Sequence, residues 1–124
     1  MHVFDIIIVG GGTVGLTQAL ALKNSGLSVA VVESHVSESM PSGEPQLRVT
    51  ALTLASENIL HNLGAWQHLD LNRLCSYVNM QVWDKDSFGK IDFSAEQVQK
   101  KQLGHIVENQ AIRHSLWTQA LSSR

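Results

Sequence analysis

The feature that most constrains the fold of this chain is a glycine-rich loop between an apolar run and a helical pattern. Residues 3–9 (VFDIIIV) are β-branched and almost continuously apolar, which is typical of a parallel strand covered on both faces. Residues 10–15 (GGGTVG) follow at once and satisfy the pattern G-x-G-x-x-G. Such hexamers are common in loops, and the motif indicates a nucleotide-binding loop only when a strand precedes it and a helix follows it, as the pattern predicts here.

The pattern after the glycines predicts a helix and then a second strand. Apolar residues recur at helical spacing from Thr13 to Leu22, and residues 24–26 (NSG) form a good helix stop. Residues 27–32 (LSVAVV) then indicate a second buried strand, which ends at Glu33. We therefore predict an α/β fold that begins with a Rossmann-like βαβ unit over residues 3–33 and has a right-handed crossover.

Each part of the glycine motif has a physical role in binding a diphosphate. Gly10 permits the tight turn out of the strand, Gly12 leaves room for the pyrophosphate, and Gly15 lets the helix pack closely on the strand. The backbone N–H groups at the helix start, at Thr13 and Val14, and the positive end of the helix dipole then face the phosphates.

Glu33 completes this fingerprint at the end of the second strand, about 20 residues beyond the glycines. A carboxylate at this position can accept hydrogen bonds from both ribose hydroxyls of adenosine, and it would repel a 2′-phosphate. The unit therefore predicts a site for the adenosine diphosphate half of a dinucleotide. The βαβ pattern alone does not separate FAD from NAD.

The rest of the chain indicates a mixture of helices and strands with no third βα crossover. Residues 34–45 are polar and contain both prolines, so we expect a loop there. The expected elements are a helix from about Thr53 to Leu63, a hairpin of strands Tyr77–Trp83 and Lys90–Phe93, a short strand at Leu103–Val107 and a helix at Asn109–Leu121.

Composition excludes several other functions. A net charge of -2 offers no basic patch for nucleic acid, and the six histidines and single cysteine, Cys75, show no metal-ligand spacing. Cys75 cannot form an internal disulfide, which suits a reducing cytoplasm. The uncharged run Ile6–Leu22 lacks the cationic flank of a signal peptide, and its three consecutive glycines make it a poor spanning helix. We therefore expect a cytoplasmic location.

Four segments carry a resemblance to a known family. Residues 5–15 (DIIIVGGGTVG), with Glu33 after them, resemble the amino-terminal signature of class A flavoprotein monooxygenases. Residues 46–52 (QLRVTAL), 82–89 (VWDKDSFG) and 104–109 (GHIVEN) resemble segments of the ubiquinone-biosynthesis hydroxylases. The combination is most similar to the VisC-type 2-polyprenylphenol hydroxylases, and these three segments are much more specific than the first.

The resemblance implies that the chain binds FAD, while the intact family takes electrons from NAD(P)H and hydroxylates a polyprenylphenol. It implies that Arg48 lies near the FAD phosphates and flavin, that Glu108 or Asn109 touches the ribityl chain, and that Arg113 is a cation near the cofactor. A lipid substrate also implies peripheral contact with the inner membrane or with a ubiquinone-biosynthesis complex.

The sequence departs from the family pattern in one respect. The Ala-Asp-Gly and Gly-Asp motifs of the family are absent, so we interpret residues 1–124 as the amino-terminal part of a FAD-binding domain that does not hydroxylate by itself. If sheet neighbours lie outside these residues, the apolar faces of the strands and of the last helix should be partly bare. The alternatives are an NAD-dependent oxidoreductase of another family and a non-catalytic nucleotide-binding module.

Overall fold

The computed structural model describes residues 2–35 and 39–122 of the chain. Two 3-10 helices, Trp66–His68 and Leu71–Arg73, accompany the regular elements. In chain order those elements are β1 (Ile6–Val9), α1 (Thr13–Ala21), β2 (Val29–Val32), β3 (Val49–Thr53), α2 (Leu54–Asn62), β4 (Cys75–Tyr77), β5 (Asn79–Trp83), β6 (Lys90–Ser94), β7 (Gly104–Glu108) and α3 (Asn109–Ser122).

The predicted βαβ unit is present. Strands β1 and β2 pair in parallel, with Ile6 opposite Val29 and Val9 opposite Val32, and α1 lies between them in sequence. The carboxylate of Asp5 accepts hydrogen bonds from the backbone N–H and the hydroxyl of Ser28 at 2.8 and 2.7 Å. These hydrogen bonds connect the residue before β1 to the residue before β2.

One face of this parallel pair is bare, so the expectation that β1 is covered on both faces is wrong. Ile6 and Ile8 are half-buried, whereas Ile7 and Val9 are 60% and 84% exposed. Neighbouring residues of a strand point to opposite faces, and α1 packs against only one of them. The exposed pair matches the other expectation, that apolar strand faces are partly bare when sheet neighbours are absent from the described chain.

A second sheet, antiparallel and three-stranded, has the order β3-β7-β4. Thr53 of β3 lies opposite Gly104 of β7, and Cys75 of β4 lies opposite Ile106. The sequence analysis predicted β7 but neither edge strand. The helix expected to begin near Thr53 is confirmed as α2, and Thr53 caps it by accepting a hydrogen bond from the N–H of Ser56 at 3.3 Å.

The predicted hairpin is confirmed as β5 and β6, which pair antiparallel with Trp83 opposite Lys90. The predicted strand Tyr77–Trp83 is wrong in its extent, because two strands occupy that stretch. Tyr77 ends β4 and pairs with β7, whereas Asn79 begins β5 and pairs with β6. The chain therefore changes sheets at Val78, a change that a continuous run of strand-forming residues does not reveal.

The core joins the βαβ unit to the second sheet. Helix α3 follows β7 directly and packs against α1. Its inner face is buried while Leu121 near its end is 50% exposed. The buried cluster consists of Leu16, Leu20, Leu52, Leu60, Ala65, Leu69, Val107, Ala111, Ile112 and Leu116.

Truncation of a side chain in this core should reduce stability far more than truncation at the end of the same helix. Leu116 is 0% exposed, so we expect Leu116→Ala to lower the free energy of unfolding by about 2–5 kcal/mol, through lost burial and a residual cavity. The half-exposed Leu121→Ala is the matched control. Equal losses in urea unfolding would contradict the packing described for α3.

Candidate dinucleotide-binding site

A cleft of about 450 Å³ lies at the carboxyl end of β2, between the start of α1 and the start of α3. Its walls combine the βαβ unit with the loop before β3 and with α3. The lining residues are Gly12, Thr13, Glu33, His35, Gln46, Arg48, Asn109, Gln110 and Arg113.

Six of the ten residues proposed from the sequence line this cleft, namely Gly12, Thr13, Glu33, Arg48, Asn109 and Arg113. The other four lie beside it. Gly10 and Gly15 shape the loop, Val14 lines a separate groove between α1 and α2, and Glu108 has its carboxylate in an ion pair. The sequence analysis missed His35, Gln46 and Gln110, although each is within two residues of a proposed site residue.

The glycine loop turns sharply and packs closely. Gly10 has a φ of +106°, in the region that favours glycine, and a Cβ at Gly15 would collide with the carbonyl oxygen of Gly10. Gly11 is also enclosed, since a Cβ there would lie 2.7 Å from Trp117 and 2.9 Å from the Cβ of Glu33. A Cβ at Gly12 would meet no atom within 4 Å. Gly12 therefore faces open space in the cleft.

The start of α1 has a free positive end within the described part of the chain. Its N-cap is Gly12, which provides no side-chain cap, and the first turn holds no acidic residue. The first N–H groups of a helix have no partner inside the helix, and the helix dipole makes this end attractive to anions. The arrangement suits a phosphate group placed beside Gly12 and Thr13.

Glu33 is held ionised by backbone N–H groups. Its carboxylate accepts hydrogen bonds from the N–H of His35 at 2.9 Å and from the N–H of Gly11 at 2.6 Å. These two contacts lower the pKa of Glu33 to about 2 from an ordinary 4.5. The hydroxyl of Ser34 is a third donor to this carboxylate, at 3.3 Å. A carboxylate has about four acceptor positions, so Glu33 keeps roughly one for a hydroxyl donor in the cleft, and a ligand that displaces the Ser34 hydroxyl would gain a second.

Arg113 connects α3 to the glycine loop. Its Nε donates to the carbonyl oxygen of Gly11 at 3.3 Å, and its Nη2 donates to the carbonyl oxygen of His35 at 3.0 Å. Nη2 also lies 3.7 Å from the Glu33 carboxylate. The guanidinium thus holds together the two loops that follow β1 and β2, and it places a permanent positive charge on the cleft wall.

Arg48 and Asn109 line the part of the cleft where β3 begins and β7 passes into α3. The backbone N–H of Asn109 donates to the carbonyl oxygen of Arg48 at 3.0 Å. The side-chain oxygen of Asn109 accepts a hydrogen bond from the hydroxyl of Thr50 at 2.6 Å. Arg48 is exposed and lines the cleft, so its charge is available to an anion bound there.

Glu108 takes a different position from Asn109. Its carboxylate is only 5% exposed and forms a bidentate ion pair with Arg73 at 2.7 Å. The hydrogen bonds from Arg73, followed by that from the N–H of Gln46, lower the pKa of Glu108. The sequence left Glu108 and Asn109 as alternatives for one contact, and of these two Asn109 lies on the cleft.

The described residues contain neither a metal-binding cluster nor a membrane-spanning helix. Residues 2–35 and 39–122 contain no group of three or more histidine, cysteine, aspartate or glutamate side chains that could hold a metal ion. Within the same ranges, each helix is too short or too polar to cross a membrane.

The hydrogen bonds of Glu33 give stability a defined pH dependence. Because its pKa is lowered on folding, the carboxylate stabilises the native state above pH 4.5, and this contribution is lost as the pH falls toward about 2. We expect Glu33→Gln to be less stable than the wild type at pH 7. The difference in the free energy of unfolding between the two proteins, measured by urea unfolding between pH 7 and pH 3, should become smaller below pH 4.5. A difference that widened with acidity would contradict this role.

Comparisons with known proteins agree with the resemblance found in the sequence. The sequence model of the family described as FAD dependent oxidoreductase matches residues 5–100. The 3-demethoxyubiquinol 3-hydroxylase of Escherichia coli (strain K12) is 32% identical over 96% of this chain and 30% of that protein. The mitochondrial ubiquinone biosynthesis monooxygenase COQ6 of Danio rerio is 35% identical over 95% of this chain and 25% of that protein. The chain thus spans between 25% and 30% of the length of these relatives.

Solved structures with the same fold are also oxygenases. A variant of 2-methyl-3-hydroxypyridine-5-carboxylic acid oxygenase matches with a TM-score of 0.63 over 99% of this chain and 30% of that chain. The p-nitrophenol 4-monooxygenase PnpA from Pseudomonas putida DLL-E4 matches with a TM-score of 0.59 over 94% of this chain and 29% of that chain. Both are 22% identical to this chain, so they support the fold alone.

These findings confirm the α/β fold and the family resemblance predicted from the sequence. The family match extends over more than half of the chain and includes the whole glycine loop and Glu33. The chain belongs to the FAD dependent oxidoreductase family.

Proposed function

We propose that this chain binds FAD through its adenosine diphosphate half and belongs to a monooxygenase that hydroxylates a polyprenylphenol in ubiquinone biosynthesis. The observation that carries the proposal is the cleft itself. It combines an uncapped helix start at Gly12, an ionised Glu33, and the two cations Arg48 and Arg113. Residues 1–124 form the amino-terminal part of the FAD-binding domain in this proposal, with the βαβ unit at residues 3–33.

The glycine loop fits a diphosphate group. Gly12 is the one position of the three consecutive glycines where a Cβ has open space and φ is not positive, with a φ of -79°. Neither the local backbone nor neighbouring atoms therefore require glycine at residue 12. A ligand that approaches the backbone closely would require it, because any side chain would occupy the same space.

The charges of the cleft fit the two parts of adenosine diphosphate. The helix start at Thr13 and the guanidinium groups of Arg48 and Arg113 offset the negative charge of the pyrophosphate. The Glu33 carboxylate accepts hydrogen bonds from the ribose hydroxyls. We propose that Asn109 contacts the ribityl chain, since it lies on the same cleft beyond Arg48.

The substrate and the electron donor are proposed from the relatives. FAD, when bound, supplies the oxygen chemistry of hydroxylation, while the residues of this chain bind and orient it. The names of the relatives specify ubiquinol hydroxylation and ubiquinone biosynthesis, which supports a polyprenylphenol as the substrate. NAD(P)H is the proposed donor. A cytoplasmic location with peripheral contact to a membrane belongs to the same proposal, because the substrate is a lipid.

A bulky side chain at Gly12 should abolish FAD binding while leaving the fold intact. We expect Gly12→Val to stay folded, because a Cβ there meets no atom within 4 Å, and to lose no more than about 1 kcal/mol of stability through a valine at the N-cap. It should lose at least about 100-fold in FAD affinity through a clash with the pyrophosphate. Isothermal calorimetry with FAD, next to urea unfolding, measures both quantities.

Gly89→Val is the matched control, because Gly89 lies in the hairpin loop, where the nearest atom to an added Cβ would be the rotatable hydroxyl of Ser87 at 3.3 Å. It should bind FAD as the wild type does. Undiminished FAD affinity in Gly12→Val would contradict the proposal. Binding of NAD but not FAD by the wild type would favour an NAD-dependent oxidoreductase, and binding of neither would favour a protein without a nucleotide site.

A further inference from the structure

A buried ion pair outside the cleft connects three separate parts of the chain. Arg73, at the end of the second 3-10 helix, donates from Nε and Nη2 to the two carboxylate oxygens of Glu108, both at 2.7 Å. The side chains are 17% and 5% exposed. Glu108 is the last residue of β7, directly before α3.

The third part is the loop that carries the cleft wall. Nη1 of Arg73 donates to the carbonyl oxygen of Gly43 at 2.9 Å. The carboxylate of Glu108 accepts a hydrogen bond from the backbone N–H of Gln46 at 2.8 Å. Residues 39–48 contain no helix or strand, so such contacts determine where the loop lies. Two residues of this loop, Gln46 and Arg48, line the cleft.

We propose that Arg73 is a positioning residue for the cofactor: through Glu108 it fixes the loop of Gln46 and Arg48 as one wall of the FAD cleft. The consequence for FAD rests on the proposed function. Arg73 itself does not line the cleft, and it acts only through the groups that it holds.

The geometry favours arginine at this position over other cations. A planar guanidinium donates two parallel hydrogen bonds to a carboxylate and keeps a third donor for Gly43, whereas the ammonium of lysine is a point charge without this fork. Removal of Arg73 would leave the Glu108 carboxylate buried and unpaired, which is costly. Glu108 would then turn toward water, and the N–H of Gln46 would lose its acceptor.

The test compares Arg73→Met and Arg73→Lys with the wild type in the full chain. Lys90→Met is the matched control, because it removes the exposed ion pair with Asp92 (3.3 Å) on the hairpin, which is remote from the cleft in the fold. Hydrogen exchange of the Gln46 amide without FAD reports the position of the loop. The internal reference is the Ile6 amide in the parallel pair, which donates to the carbonyl oxygen of Ser28 at 3.1 Å. Calorimetry with FAD and the visible circular dichroism of bound flavin report the effect on the cofactor.

We expect exchange of the Gln46 amide to accelerate roughly tenfold in Arg73→Met relative to the Ile6 amide. FAD affinity should fall roughly 3- to 30-fold. Arg73→Lys should restore part of both effects, and Lys90→Met should change neither. If the ion pair only stabilised the fold, its removal would accelerate exchange at Gln46 and Ile6 equally, and that result would overturn the proposal.

Two other outcomes also test the positioning role of Arg73. Unchanged FAD affinity together with selectively faster exchange at Gln46 would overturn the positioning role, because the wall would then move without consequence for the cofactor. If the wild type binds no FAD, the proposed function fails. Exchange at Gln46 then decides separately whether Arg73 holds the loop, and unchanged exchange in Arg73→Met would overturn that part as well. If Arg73→Met does not fold, Arg73→Lys provides the comparison.

Discussion

The packing of α3 against α1 is the interaction on which the rest of the structure depends. It places Trp117 against Gly11 and brings Arg113 to the carbonyl oxygens of Gly11 and His35. Helix α3 thus contacts and stabilises the two loops that follow β1 and β2. Gly11 is enclosed for this reason, whereas Gly12, one residue further on, faces open space. Close packing on one side of the loop leaves the other side free for a ligand.

The cleft that results has an uneven charge distribution that matches a nucleotide diphosphate. One carboxylate, Glu33, is kept ionised by two backbone N–H groups, and its negative charge lies at the end of β2. The positive end of α1 and the side chains of Arg48 and Arg113 surround the rest of the cleft. Hydroxyl donors are favoured near Glu33 and phosphates near the helix start. Arg113 bonds to the glycine loop and to the loop after β2, so it connects the region beside the helix start with the region beside Glu33.

The sequence was sufficient to predict the elements whose signals are local. The βαβ unit, α2, the hairpin and α3 follow from periodicity, turns and caps. Of the six predicted residues that line the cleft, Gly12, Thr13 and Glu33 follow from the glycine fingerprint, whereas Arg48, Asn109 and Arg113 follow from the family resemblance. Strands β3 and β4 could not be predicted in this way, because five and three residues give little periodicity and their pairing with β7 is non-local. The same reason applies to Glu108, since only the fold brings it to Arg73, 35 residues away. The bare face of β1 was expected only from the interpretation of residues 1–124 as part of a domain, since the apolar run itself does not show what covers it.

In the proposed complex, Gly12, Thr13 and Arg113 surround the diphosphate of the cofactor. Amide shift mapping by ¹⁵N nuclear magnetic resonance during titration with ADP tests it most directly, because ADP contains the proposed group without the flavin. We expect saturable shifts concentrated at the amides of residues 11–14 and 33–35 and at the side chain of Arg113, with the hairpin at residues 79–94 unaffected. Saturable shifts elsewhere with none at residues 11–14, or no shifts at millimolar ADP, would contradict it.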